Sequence, residues 1–204
     1  MKLNLGCGGR YVPGWVNVDY AIGARIARTP VVGRLVSGTG LFGVKWDARI
    51  CLHDLRRRLP WNDGDASVAY ASHTLEHLSR SDGVRLLEEC HRVLRPGGIV
   101  RILVPDLDAV VRSYQAGRLP ADEFVEALGV LYEHSPNPIK NRLYPFIQFP
   151  HKCMYNTRRL LEILEQTGFR ARSCAGFESA IDAIDSIEIA DRTIDAVIVE
   201  GIRV

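Results

Sequence analysis

Leu3-Asn4-Leu5-Gly6-Cys7-Gly8-Gly9, residues 3–9, is a short apolar strand that runs straight into a glycine turn. Glycines in that position let the backbone turn tightly and come close to a bound ligand. A turn of this kind also ends many strands that bind nothing, so the residues beyond it carry weight. Val16-Asn17-Val18-Asp19 reads as a second strand with an acid at its end, where a carboxylate can accept both hydroxyls of a ribose. A full dinucleotide-binding unit places a helix in between and its acid about 20 residues on. Here the step from Gly9 to Asp19 is only ten residues. The first crossover therefore shrinks to a turn around Tyr11–Trp15, which counts against an ordinary nicotinamide site.

Outward from the turn, short apolar runs alternate with helical patterns, which argues for βαβ units and a parallel sheet. Further strands are expected at Arg49–His53, Val68–Ser72 and Ile99–Val104. Ser81 or Asp82 is placed to cap a helix in which Val84, Leu87, Cys90 or His91, and Leu94 recur at helical spacing, and Pro96-Gly97-Gly98 ends it. A second helix is expected over Asn156–Gln166, with Leu160, Leu161, Ile163 and Leu164 inward and Gly168 as its stop. Strands at Phe169–Ala175 and Ala196–Ile202 suggest a closing antiparallel pair. Residues 20–46 show weak periodicity. Residues 105–150 hold helical patterns at Leu107–Gln115 and Ala121–Leu131, then the aromatics Tyr132, Tyr144, Phe146 and Phe149. Ligands of open α/β sheets bind at the carboxyl ends of the strands, so an insertion leaving the fifth strand is placed to cover one.

The 204 residues are 47% hydrophobic and 25% charged, the balance of a globular chain able to bury a core without staples. Lys and Arg number 26 against 24 acids, a net charge of +2, which gives no support for a nucleic-acid partner. The triplet Arg56-Arg57-Arg58 lacks interleaved aromatics and reads as a solvated face. No apolar run approaches the ~20 residues of a membrane span. The absence of a signal-peptide core, with five Cys in no CxxC spacing, leads to the expectation of a cytoplasmic protein with reduced thiols.

The ordered runs LNLGCGG (3–9), GWVNVD (14–19), HDLRRRLPW (53–61), YASHTLEHL (70–78), ECHRVLRPGGIVRILVPDL (89–107) and HKCMYNTRRLLEILEQTGF (151–169) resemble the class I S-adenosylmethionine (SAM)-dependent methyltransferases of the broad type 11 group. They resemble most its short members that begin at the glycine strand. The resemblance and the element pattern together imply an α/β, Rossmann-like doubly wound, mostly parallel seven-stranded sheet. It would carry a terminal antiparallel strand and a helical, aromatic insertion after strand 5, in one domain over residues 1–204. The resemblance implies SAM as cofactor and S-adenosylhomocysteine (SAH) as product. It places Gly6, Cys7, Gly8 and Gly9 under the methionine part, Asp19 at the ribose, Asp54 and the Leu55 backbone at the adenine, and Ser72 and His73 facing the sulfonium and the acceptor. Many relatives carry an acid where this chain has Asn4, so the grip on the cofactor ammonium is expected to differ. Cys7 reads as a small packing residue, or as a thiol whose pKa the loop amides lower.

Methyl transfer from a sulfonium needs donor and acceptor aligned and water excluded, and a base helps when the acceptor is a hydroxyl. His73 and His151 are the candidate bases. His73, Glu76 and His77 form an HxxEH pattern at the start of an expected helix, where i, i+3 and i+4 share a face and could hold a divalent metal. The local alternative has Glu76 beside a helix N-terminus and His77 packed. The expected acceptor is an oxygen or nitrogen of a small molecule or glycan unit, with no nucleic-acid partner and a homodimer as an open option. The rival reading is a non-catalytic SAM- or SAH-binding protein with a regulatory or scaffold role.

Overall fold

The sheet has seven strands in the order β3-β2-β1-β4-β5-β7-β6. In the computed structural model, which describes residues 1–29, 46–132, 142, 144 and 148–204, these are β1 (Lys2–Leu5), β2 (Val16–Asp19), β3 (Cys51–Leu52), β4 (Ala66–Ser72), β5 (Leu94–Pro105), β6 (Phe169–Ser173) and β7 (Ala196–Arg203). The first five pair in parallel, with Asn4 lying between Asn17 and Tyr70 in register. β7 runs antiparallel to both β5 and β6 and lies between them. The expected terminal antiparallel strand is therefore an insertion into the sheet rather than an added edge. Among the described residues the helices are α1 (Ile22–Ala27), α2 (Arg80–Val93), α3 (Leu107–Gln115), α4 (Phe124–Ala127) and α5 (Thr157–Gln166). None of them is long and apolar enough to cross a membrane.

Side chains alternate across each strand, and the two faces bury separate cores. Leu3, Leu5, Val100 and Ile102 pack with Leu86, Leu87, Cys90 and Val93 of α2 and Leu160 and Leu164 of α5. On the other face Tyr70, Leu103 and Ile198 pack with Val12, Trp15, Ile181, Ile184 and Ile187. That second face is closed in part by single 3-10 turns at Ile184–Ser186 and Ala190–Arg192. These turns come from the stretch between β6 and β7.

Several boundaries move from the sequence expectation. The cap of α2 is Ser79, not Ser81 or Asp82, and its side chain accepts from the Asp82 N–H. Ser79 has the extended backbone that a cap needs, whereas Ser81 and Asp82 are already inside the helix. β3 shrinks to two residues. β5 starts at Leu94, which pairs with Ala66 before the ladder resumes at Ile99 opposite Val68. Pro96-Gly97-Gly98 thus forms a bulge inside that strand, with Gly97 at φ +76°. The second insertion helix covers only Phe124–Ala127 of the expected Ala121–Leu131, ended by Gly129 at φ +67°. α1 was not expected, and the rest of the weak stretch, 30–45, lies outside the described residues, as does Phe146. Tyr132 and Phe149 are exposed.

Candidate active site

The turn after β1 is built around one carbonyl. The N–H groups of Gly6 and Cys7 both donate to the Val18 carbonyl, at 2.9 and 3.0 Å. This ties the turn to the end of β2. Gly6 and Gly8 sit at φ +71° and +59°, a region open to glycine at little cost. The two positions differ in what surrounds them. A Cβ on Gly6 would come within 2.2 Å of the Thr74 Oγ1, whereas one on Gly8 would meet nothing within 4 Å. Gly8 therefore presents bare backbone to open space, and Gly9 completes the turn.

Asp19 closes the turn from the other side. Its Oδ2 accepts from the Gly8 N–H at 2.8 Å and its Oδ1 from the Ala21 N–H at 2.7 Å. Each oxygen keeps a lone pair for a further donor. Beside the turn, at the carboxyl ends of β1 and β4, an open cleft is lined by Asn4, Gly6, Cys7, Tyr70 and Ser72, with Arg10, Ile187, Ile189 and Arg192 on its far wall. The Oγ of Ser72 is buried beside the Tyr70 side chain. Asn4 is spent on Asn17, donating from Nδ2 to Oδ1 at 2.9 Å. Cys7 is no activated thiol. Burial first, then the Asp19 carboxylate, push its pKa up to about 12, which rules out the lowered value the loop amides suggested.

Asp54 and Leu55 stand outside the cleft lining. Arg56 grips the Asp54 carboxylate in a fork, Nε to Oδ1 at 2.9 Å and Nη2 to Oδ2 at 2.7 Å, and this bond chiefly holds the acid below its usual range. Leu55 is buried in the core.

The histidines fall into two groups. His73 follows β4 at φ +51°. Its Nε2–H donates to the Arg192 carbonyl at 3.1 Å, and its Nδ1 lies 3.4 Å from the Glu76 Oε1. Glu76, first among several influences, raises the His73 pKa. The HxxEH residues do not begin a long helix: Leu75–His77 is a single 3-10 turn, and α2 starts separately at Arg80. His73 therefore does not share a helical face with Glu76 and His77. Those two lie with His151, the rings of His77 and His151 being 5.0 Å apart. His151 donates from Nδ1 to the Leu128 carbonyl at 2.8 Å. His77 is held below its usual pKa by burial.

Residues 3–102 match a family model described as a methyltransferase domain. Over that stretch, just under half of its length, the chain is similar to the methyltransferase domain family. A methyltransferase domain of this kind implies SAM as the bound cofactor and SAH as its product. Among solved structures, a SAM-dependent methyltransferase from Methanosarcina mazei is 15% identical, with 99% of this chain and 92% of that chain covered, at a TM-score of 0.54. The YcgJ protein from Bacillus subtilis is 16% identical, with 98% and 90% covered, at 0.51. These likenesses speak for the Rossmann-like fold. Among curated proteins no sequence matches the chain.

The far wall of the methyltransferase cleft was not legible in the sequence. Arg10 clasps the Ile187 and Ser186 carbonyls across it, at 2.5 and 3.3 Å, and Arg192 donates to the Ser72 carbonyl at 3.2 Å. Behind the wall lies Arg101 of β5, fully buried. Its Nε and Nη2 bond Glu188, its Nη1 bonds Glu200, and the remaining donors reach the Glu178 and Ala175 carbonyls. All five guanidinium donors are filled, so a buried charge is tolerated there. An arginine inside an apolar strand run, Ile99–Val104, was the available signal.

Proposed function

We propose that this methyltransferase moves the SAM methyl group to an oxygen or nitrogen of a small molecule or a glycan unit. The observation that carries the reading is the glycine turn latched by Asp19 beside an open cleft at the carboxyl ends of β1 and β4. That is where ligands of open α/β sheets bind. The residues present suit the cofactor. Gly6, Cys7, Gly8 and Gly9 lie under its methionine part, and Gly8 leaves room for close approach. The spare lone pairs of Asp19 take the ribose hydroxyls. Ser72 and Tyr70 line the cleft at the end of β4. Asp54, oriented by Arg56, and the Leu55 backbone meet the adenine.

SAM supplies an electrophilic methyl on a sulfonium. The chain's part is alignment and exclusion of water, worth several orders of magnitude without any covalent step. His73, which borders the cleft through the Arg192 carbonyl, takes the acceptor proton. A cytoplasmic setting belongs to the same reading, supported by five thiols of which none is paired. Both ring nitrogens of His73 have neighbours, which favours the non-catalytic SAM-binding role as the second reading.

Calorimetric titration with SAH, SAM and NAD tests the cofactor site. Micromolar SAH binding, lost in Asp19→Ala, and no NAD binding are expected. An Asp19→Ala variant that binds SAH as well as the parent overturns the site. Methyl transfer to any member of an acceptor panel decides between the enzyme and the non-catalytic reading, and unchanged turnover in His73→Asn removes the base assignment.

A further inference from the structure

We propose that Glu76, His77 and His151 form a site for a divalent transition-metal ion. One ligand atom from each residue lies within 4.8 Å of the other two. Glu76 is fully buried; His73 Nδ1 stands 3.4 Å from its Oε1, and its Oε2 has no hydrogen-bond partner among the described residues. The His73 contact leaves Oε2 unserved. A carboxylate taken from water without donors is strongly disfavoured unless a cation sits beside it. The Nδ1 of His77 is likewise buried and unpartnered. On His151 the Leu128 carbonyl fixes the proton on Nδ1 and leaves the lone pair on Nε2. An outer hydrogen bond of that kind is how metal-binding imidazoles are usually oriented.

The surrounding backbone holds these groups together. The Glu76 carbonyl accepts from the Lys152 and Cys153 N–H groups at 2.7 and 3.2 Å, and the His151 N–H donates to the Gly129 carbonyl at 2.8 Å. Gly129 at φ +67° makes room for the ring, since a Cβ there would stand 2.6 Å from it. Ligands on an ion with bonds of about 2.1 Å lie about 3.4 Å apart in tetrahedral geometry, so the side chains close by no more than about 1.4 Å. Two imidazoles and one carboxylate suit zinc, iron(II), cobalt(II) or manganese rather than calcium or magnesium. Three protein ligands leave at least one position for water or an acceptor oxygen.

The test uses the full chain stripped of metal, with Co²⁺ as the probe and no methyl acceptor. One equivalent of Co²⁺ is expected to bind and to give visible ligand-field absorption, with Zn²⁺ displacing it. Glu76→Gln and His151→Asn are expected to weaken binding at least about 100-fold, while His91→Asn, which alters a ring packed on Phe169, leaves it unchanged. Zn²⁺ at about 100 times its Kd is expected to raise the melting temperature of the parent by about 5–10 °C. Glu76→Gln abolishes that rise and melts, without metal, close to the parent, because the amide keeps the size and shape of the carboxyl group. Absence of saturable Co²⁺ binding, binding unaffected by Glu76→Gln, or a metal-free Glu76→Gln protein that melts well below the parent each overturns the site.

Discussion

At position 6 the chain has room for a hydrogen and nothing larger. Gly6→Ala would force a Cβ into Thr74 at a positive φ, and Thr74 cannot yield freely because its hydroxyl donates to the Leu5 carbonyl. The left-handed backbone costs about 1–2 kcal/mol and the crowding about 1–3 kcal/mol, so urea denaturation is expected to show a loss of about 3 kcal/mol. Gly8→Ala meets only the backbone penalty, about 1–2 kcal/mol, because its Cβ enters open space. Its larger effect falls on SAH affinity, which calorimetry reads. One residue away, Cys7 has its pKa pushed up to about 12. At pH 8 its thiolate fraction is about 10⁻⁴, so iodoacetamide followed by peptide mass spectrometry is expected to leave Cys7 unmodified in the folded chain and to modify it once urea unfolds the turn.

Among the elements, α2 and α5 were legible because their apolar residues recur at helical spacing and both faces stay buried. Their capping residues were not. Asn156, expected as the first residue of α5, is its cap, accepting from the Arg159 N–H at 3.0 Å. The start of α2 was missed by two residues because Ser79, Ser81 and Asp82 all have side chains able to cap, and only backbone conformation separates them. Ser79→Ala is expected to cost about 1 kcal/mol in denaturant, and Ser81→Ala close to nothing. The HxxEH segment was misread as helix for a physical reason. His73 at positive φ and the Leu75–His77 turn break the 3.6-residue period, yet Leu75 and Leu78 imitate it. His151 could not have been joined to Glu76 from the sequence, since 75 residues separate them and long-range contacts, the Lys152 and Cys153 amides on the Glu76 carbonyl among them, bring them together.

On the scale of the whole molecule, local pattern located the strands but not the wall of the cleft. That wall follows from charges distant in sequence: Arg101 in β5, Glu200 in β7, and Glu188 in irregular chain. Replacing Arg101 with Leu leaves two buried carboxylates short of their partner and is expected to cost about 3–5 kcal/mol, with SAH affinity falling alongside as the wall loosens. Acid tests the same network. Burial pushes the Glu200 pKa up, but bonds from Ser179, Arg172 and the Ala180 amide, with the Arg101 charge, outweigh it and leave the pKa lowered. Glu89 is lowered chiefly by its bond to Arg92, and Asp54 by Arg56. For each, the unfolded chain binds protons more readily than the folded one, so stability is complete above the unfolded carboxylate range and drains away as pH falls through the folded values. Melting temperature is expected to hold from pH 7 to about 5 and to drop below about pH 4.3, which circular dichroism across a pH series reads.

The position of β7 sets an order of events in synthesis. Through the end of β6, a growing chain has an open edge on β5 and a strand that pairs with nothing but β7. Arg101, waiting on β5, has no Glu200 to meet. Native pairings that span so much of the chain close late and leave the edge exposed meanwhile. The buried Arg101–Glu200 pair behind the wall therefore closes only after β7 has been made, and until then the β5 edge stays bare.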